Sequence, residues 1–195
     1  ITIDKTLQEY GETLMNGKRG GIVAIEPATG EILSMISGPT YDPALLVGRE
    51  RSKNYTKLYN DTIANPTWDR SIHAQQPPGS PFKTLNALIA LQEGVLDEST
   101  TIQCYHGFYV GKKKRGCHCG GGLRKLNNGI SQSCNAYFAG AFRKIFEKFE
   151  TTDEAMDVWE KHMRSFGLGD YLGYDLPFGQ RGRIPSKEYY DKWYG

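Results

Sequence analysis

The sequence predicts an α+β fold, on the evidence of one β-hairpin and several helices. The β-branched run 21–25 and the run 31–37, in which apolar residues alternate with polar ones, flank the turn residues Pro27-Ala28-Thr29-Gly30. Two extended runs around a turn are typical of a β-hairpin. Further along, apolar residues recur at helical spacing in 82–94 and 137–146, which predicts two buried helices.

The N-terminal third of the chain contains one further helix and a long irregular stretch. Leu7, Tyr10 and Leu14 share one helical face before Gly17, which predicts a short amphipathic helix ending near Met15. Residues 38–78 are predicted to be irregular, because four pairs containing proline interrupt any long element. These pairs are Gly38-Pro39, Asp42-Pro43, Asn65-Pro66 and Pro77-Pro78.

Capping residues set the expected limits of the later helices. Ser80 stands where an N-cap is expected for the helix 82–94, and Pro81 suits the first helical position. Thr151 and Glu154 form a capping-box pattern for a helix that ends at Gly167. We expect a cysteine- and glycine-rich loop over 103–122 and turns over the last 28 residues.

The net charge and the hydropathy of the 195 residues argue against nucleic-acid binding and against a membrane-spanning helix. The net charge of +2 is too small to indicate nucleic-acid binding. No apolar run reaches about 18 residues, so no membrane-spanning helix is expected within the chain. The basic run 112–115 lies between Gly111 and Gly116, which favours a solvated turn over a phosphate-binding site.

The four cysteines leave several alternatives open. Cys117-His118-Cys119, with Cys104 and His106 upstream, raises the question of zinc. The Cys-x-Cys spacing differs from the usual Cys-x2-Cys knuckle, and no second knuckle follows, so no metal is expected. A loop disulfide from Cys104 to Cys117 or Cys119 and unpaired thiols are the alternatives. Cys134 is expected to be a small buried residue without nucleophilic activity.

Ser80 and Lys83 form a possible nucleophile and base. If Ser80 opens a helix, Lys83 lies one turn along on the same face, where its amine can reach the serine hydroxyl. A hydroxyl needs a base beside it to act as a nucleophile. A lysine serves as that base only when neutral, and burial and a helix N-terminus both disfavour its charged form. The same helix start offers backbone N–H groups for a developing oxyanion.

The segments around Ser80 and Lys83 resemble those of a known protein family. Residues 77–84, Pro-Pro-Gly-Ser-Pro-Phe-Lys-Thr, resemble the nucleophile motif of penicillin-binding proteins. Residues 130–138, which contain Ser133-Cys134-Asn135, resemble their Ser-x-Asn motif. Other segments in the family's order are 23–33, Tyr41-Asp42-Pro43, Phe166-Gly167-Leu168-Gly169, Asp175-Leu176-Pro177 and Gly182-Arg183-Ile184-Pro185. The chain is most similar to class B, elongation-type penicillin-binding proteins.

The resemblance implies a fold, a reaction and site residues. It implies an antiparallel sheet flanked by helices (αβα), and D,D-transpeptidation of peptidoglycan stem peptides ending in D-Ala-D-Ala, with β-lactams as inhibitors and no cofactor. Ser80 is then the acylated nucleophile and the source of one oxyanion N–H, and Lys83 is the general base. Ser133 relays a proton to the leaving amine, and Asn135 orients Lys83 and binds the substrate amide. Ser80, Ser133 and Asn135 are thus also the substrate-binding residues.

The chain departs from the family pattern in two ways. Pro81 stands where the family often has threonine, and no Lys-Thr-Gly or Lys-Ser-Gly motif occurs. We therefore expect residues 1–195 to be a partial transpeptidase domain without the pedestal domain, the membrane anchor or the Lys-Thr-Gly strand. Such a chain is expected to react slowly with β-lactams and to self-associate through its exposed sheet edge. The resemblance places the complete protein on the periplasmic side of the bacterial inner membrane, with elongation-machinery membrane proteins as partners.

Two other functions remain as alternatives. One is a catalytically dead scaffold that binds β-lactams or a partner. The other is a related serine hydrolase, a β-lactamase or an esterase, although a class A β-lactamase normally has Ser-Asp-Asn where this chain has Ser133-Cys134-Asn135.

Overall fold

The computed structural model describes residues 2–173, 176 and 179–194. Asp175 and Pro177, which belong to one segment of the family pattern, lie outside the described residues. The described chain contains helices and short antiparallel strands, so it is α+β as predicted. It divides into two compact units, one of residues 1–76 and 173–180 and the other of 77–172 and 181–195.

The first unit contains a hairpin covered by a helix. Its helices are α1 (Lys5–Met15), α2 (Arg51–Tyr59) and α3 (Arg70–His73), its strands are β1 (Gly20–Ile25) and β2 (Ile32–Gly38), and a 3-10 turn covers Pro43–Leu46. The hairpin register pairs Gly20 with Gly38, and α1 ends where the sequence predicted. The prediction of irregular structure for 38–78 is wrong over α2 and over the short α3, since neither helix contains a proline.

Close packing joins α1 to β2. The Gln8 amide donates to the Met35 carbonyl (2.8 Å) and accepts from the Met35 N–H (2.9 Å). Gly11 faces Ile36 so closely that a Cβ there would lie 2.6 Å from Ile36 Cδ1.

Arg70 is buried, and its guanidinium donates to nearby backbone carbonyls, including that of Ala64 (2.8 Å). A buried guanidinium requires such partners.

The second unit is mainly helical. Its helices are α4 (Phe82–Gln92), α5 (Leu126–Ser131), α6 (Asn135–Glu147), α7 (Thr152–Ser165) and α8 (Lys187–Tyr194). Its strands are β3 (Ile102–Cys104), β4 (Gly107–Val110), β5 (Lys113–Gly116) and β6 (Gly122–Arg124). β3 pairs with β6 and β4 with β5, both antiparallel. The loop predicted for 103–122 is therefore largely strand, because its glycines turn the chain between short strands.

The core of this unit surrounds α6, which packs against α4 and α7. Ile89, Tyr137, Ile145 and Met163 are almost fully buried there. Trp159 packs among aromatic rings and donates its indole N–H to Asn86 Oδ1 (3.0 Å). Packing on two sides therefore sets the position of α6, whose N-terminus follows Ser133 and Cys134.

Candidate active site

Ser80 lies in a turn just before α4. The expected cap is wrong by one position: α4 begins at Phe82, Pro81 is its N-cap residue, and no side chain caps it. Backbone N–H groups of Phe82 and Lys83 instead donate to the carbonyls of Gly79 and Ser80, both at 3.0 Å. The exposed Ser80 hydroxyl makes its hydrogen bond elsewhere, accepting from Ser133 Oγ at 3.0 Å.

Lys83 points from the first turn of α4 toward the Ser-x-Asn segment. Its ammonium group donates to the Ser133 carbonyl (2.7 Å), Ser133 Oγ (2.9 Å) and Asn135 Oδ1 (2.6 Å). Three oxygen acceptors match the three hydrogens of an ammonium group. The direct contact with Ser80 expected from the sequence is replaced by a two-step path, in which Lys83 bonds Ser133 and Ser133 bonds Ser80.

The end of α5 sets the conformation of Ser133. The N–H of Ser133 donates to the Ile130 carbonyl (2.9 Å), and the N–H of Cys134 donates to the Gly129 carbonyl (2.8 Å). These two bonds form a Schellman motif, which places the residue after the C-cap in the left-handed region. Ser133 accordingly has a φ of 49°. Glycine usually occupies this position, and a side chain there costs about 1–2 kcal/mol, so the hydroxyl is held at an energetic cost.

Asn135 is the first residue of α6 and joins the lysine to the hairpin β4–β5. Its Oδ1 accepts from Lys83, and its Nδ2 donates to the Gly116 carbonyl at the end of β5 (3.2 Å). Because Lys83 donates on one side and the Gly116 carbonyl accepts on the other, the orientation of the Asn135 side-chain amide is defined. Sequence reasoning did not identify Gly116, because nothing in its neighbourhood shows that its carbonyl reaches a residue 19 positions away.

An open cleft of about 590 Å³ adjoins these residues. Lys83 and Asn135 line it together with Arg115 and Phe142. The basic run 112–115 is exposed, as expected, but its last three residues lie in β5, and this places Arg115 at the cleft. The cleft can therefore accept a chain that carries negative charge.

The four cysteines come together beside this cleft. Their Sγ atoms all lie within 4.8 Å of one another, with pairs at 3.2 Å (Cys117–Cys119 and Cys119–Cys134) and 3.6 Å (Cys104–Cys119 and Cys117–Cys134). All four are free thiols, so neither disulfide considered above is present in this structure. The spacing argument considered only cysteines close in sequence and did not foresee that the fold gathers all four sulfur atoms.

The thiols lie in very different environments. Burial raises the pKa of Cys134 to about 12, which agrees with an inert side chain. Burial alone would also raise the pKa of Cys117, but the Ala136 N–H and the Cys119 thiol lower it to about 6. Cys117 Sγ also accepts the Asn135 N–H at 3.2 Å. The thiol cluster and the predicted site residues are therefore in direct contact.

Comparison with known proteins matches most of the chain to one family. The sequence model of the penicillin binding protein transpeptidase domain matches residues 20–195. Peptidoglycan D,D-transpeptidase MrdA of Acinetobacter baumannii is 32% identical over 193 residues, which are 97% of this chain and 27% of that protein. The chain thus spans little more than a quarter of the length of this curated relative.

Solved structures have the same fold. The structure of Pseudomonas aeruginosa PBP2 in complex with WCK 5153 has a TM-score of 0.81 and 32% identity, covering 98% of this chain and 42% of that one. A complex between PBP2 and MreC from Helicobacter pylori has a TM-score of 0.80 and 30% identity, covering 98% and 34%. Among the described residues, no helix combines the length and hydropathy needed to cross a membrane.

Proposed function

The chain belongs to the penicillin-binding protein transpeptidase family, and from this premise we propose that the complete protein is a peptidoglycan D,D-transpeptidase with Ser80 as its acylated nucleophile. The single observation that carries the proposal is the hydrogen-bonded path from Lys83 through Ser133 to Ser80. This path joins the ammonium group of the candidate base to the hydroxyl of the candidate nucleophile, and these two groups form no direct hydrogen bond with each other.

The first half-reaction requires a proton to leave Ser80. When Lys83 is neutral, the Ser80 hydroxyl donates to Ser133 Oγ and the Ser133 hydroxyl donates to Lys83 Nζ, because a hydroxyl both donates and accepts. As Ser80 Oγ attacks the carbonyl carbon between the two D-alanines, its proton passes to Ser133 and the Ser133 proton passes to Lys83. The three oxygen acceptors around Lys83 Nζ stabilise the ammonium ion that forms.

The same path returns the proton when the peptide bond breaks. The tetrahedral intermediate collapses, the C–N bond breaks, and the leaving D-Ala amine takes a proton from Ser133, which Lys83 replenishes. An acyl ester on Ser80 remains. An amine from a second stem peptide then attacks this ester and restores the Ser80 hydroxyl, which completes the cross-link.

The roles of Asn135 and of the Ser80 backbone N–H follow from where these groups lie in the site. We assign Asn135 to hold Lys83 and to bind the substrate amide, because its side chain lies at the cleft and contacts the lysine. The Ser80 N–H is proposed as one oxyanion donor. The PBP2–MreC complex among the structural neighbours supports elongation-machinery proteins as partners, and family membership supports a periplasmic location at the inner membrane.

The proposal is tested by acylation of the complete protein with fluorescent penicillin. Wild-type protein should give one stable adduct on Ser80, and Ser80→Ala should give none. Thr84→Ala is the matched control, because it removes a hydroxyl one turn along whose hydrogen bond goes to the Pro81 carbonyl (2.7 Å). Absence of any adduct would support the inactive scaffold, and rapid release of hydrolysed penicillin would support the β-lactamase.

A further inference from the structure

The cleft of about 590 Å³ beside the proposed catalytic residues combines apolar walls with positive charge. Its apolar residues come from β4 and α6 and are Phe108, Val110, Ala139 and Phe142. Arg115 adds a guanidinium, and none of the described residues that line the cleft is an aspartate or a glutamate. A cleft of this composition fits an aliphatic group that ends in an anion.

The register of the hairpin β4–β5 explains why Arg115 meets the apolar wall. Phe108 pairs with Arg115 across the two strands, and Val110 pairs with Lys113. Residues directly opposite each other in an antiparallel pair lie on the same face, and side chains alternate between the two faces along a strand. Arg115 and Phe108 therefore share the face toward the cleft, whereas Lys114 lies on the opposite face.

The guanidinium of Arg115 is available to a ligand. Arg115 is exposed, and within the part of the chain that the structure describes its guanidinium forms no hydrogen bond or ion pair. Arg164 and Arg181, by contrast, each pair with a carboxylate of the chain, at 2.6 Å and 2.8 Å. A guanidinium presents a fork of N–H donors that matches the two oxygens of a carboxylate.

The cleft adjoins the residues proposed to carry the reaction. Lys83 and Asn135 line it, and the Asn135 side chain donates to the carbonyl of Gly116, the residue that follows Arg115 (3.2 Å). Asn135 is assigned above to bind the substrate amide. In the acyl donor, the amide next to the attacked D-Ala joins it to the preceding stem-peptide residue. The side chain of that preceding residue is then the part of the donor that lies beside the cleft.

We propose that this cleft binds the side chain of the stem-peptide residue that precedes D-Ala-D-Ala, and that Arg115 pairs with a carboxylate at the end of that side chain. The methylene groups of the side chain contact the apolar walls, and the carboxylate accepts hydrogen bonds from the guanidinium. A side chain that ends only in an ammonium group is disfavoured, because the charge of Arg115 repels it. Arg115 is thus a specificity-determining residue for the acyl donor, an inference that rests on the proposed function.

Penicillins with matched acyl side chains test this inference on the complete protein. One carries an α-aminoadipoyl side chain, which is an aliphatic chain with a terminal carboxylate, and the other is the amide of that carboxylate. Competition with fluorescent penicillin gives each acylation rate. Wild-type protein should react about tenfold faster with the carboxylate form, because a hydrogen bond to a charged group is worth roughly that factor.

Variants of β5 identify the group responsible. In Arg115→Gln the two penicillins should react at equal rates, and the rate with the amide should stay within about twofold of wild type. Arg115→Lys should retain part of the preference, because it keeps the charge but loses the fork. Lys114→Gln is the matched control, since it removes the same charge from the opposite face of β5 and should keep the full preference. The preference should also fall as the salt concentration rises.

The possible failures are distinguishable. If neither penicillin acylates the wild type, the proposed function itself is wrong. If both acylate the wild type at equal rates, or if Arg115→Gln keeps the full preference, the reaction stands and the role of Arg115 is refuted.

Stem pentapeptides added as competitors identify the carboxylate in the natural donor. Amidation of the side-chain carboxylate on the residue before D-Ala-D-Ala should weaken protection of the wild type against fluorescent penicillin. Amidation of the α-carboxylate on the γ-linked glutamate should leave protection unchanged. The reverse order, or equal protection by all three peptides, would overturn the assignment of the side chain to this cleft.

Discussion

Removing the Ser133 hydroxyl tests how the proton leaves Ser80. Lys83 Nζ lies 2.9 Å from Ser133 Oγ, and Ser133 Oγ lies 3.0 Å from Ser80 Oγ. Ser133→Ala removes the central atom of this path and leaves the nucleophile and the base in place. If the proton passes through Ser133, this variant should slow acylation almost as much as removal of the Lys83 amine would.

The expected magnitude follows from the role of a general base. Such a base contributes typically 10²–10⁴-fold to a rate, so Ser133→Ala should slow acylation by about that factor. This corresponds to about 3–5 kcal/mol in activation free energy. The assay is the rate of fluorescent penicillin labelling of the complete protein, with binding before acylation separated by varying the penicillin concentration. The loss should fall on the acylation step.

Ser133→Gly separates proton transfer from backbone strain. Ser133 has a φ of 49°, which alanine tolerates as poorly as serine and glycine tolerates freely. The glycine variant should therefore be about 1–2 kcal/mol more stable than the alanine variant, yet equally slow in acylation. An acylation rate within a few-fold of wild type in both variants would refute the two-step path and make Lys83 a direct base.

Two further predictions concern stability. Gly129→Ala should destabilise the protein, because the new Cβ would lie 2.8 Å from Cδ1 of the fully buried Tyr137 ring. Overpacking of this kind costs about 1–3 kcal/mol of stability. This cost outweighs the gain of about 1 kcal/mol from replacing a helical glycine with alanine. The Lys148 ammonium and the His162 ring hold the pKa of Glu93 below its ordinary value of 4.5. The stability that this carboxylate contributes is present above that value and is lost as the pH falls through the lowered pKa. Glu93→Gln should therefore destabilise the protein at neutral pH, and the difference from wild type should shrink in acid.

Urea unfolding measures both effects against matched variants. Gly120→Ala adds a Cβ in open space and should change stability by less than about 0.5 kcal/mol; a loss equal to that of Gly129→Ala would show that ring contact is not the cause. Glu50→Gln removes a carboxylate from an exposed pair with Lys53, so its stability should depend little on pH. A Glu93→Gln deficit that persisted unchanged in acid would contradict the ionic explanation.

The sequence alone determined the family and several of the local elements. The alternating apolar pattern of 31–37 predicted β2, helical spacing predicted α1, α4 and α6, and the capping-box pattern at Thr151 and Glu154 predicted α7. These patterns depend on side-chain periodicity, which is a property of neighbouring residues. The order of the motifs around Ser80 and Ser133 was also sufficient to indicate the transpeptidase family.

Only the tertiary structure decided which side chains meet. The Lys83 ammonium group bonds the hydroxyl of Ser133, 50 positions away, and not the hydroxyl of Ser80, because the end of α5 turns the Ser133 hydroxyl between them. The four cysteines span 31 positions with irregular spacing, and β3, β6 and the start of α6 bring them together. Contacts of this kind depend on how separate elements pack, and residue spacing along the chain carries no record of that packing.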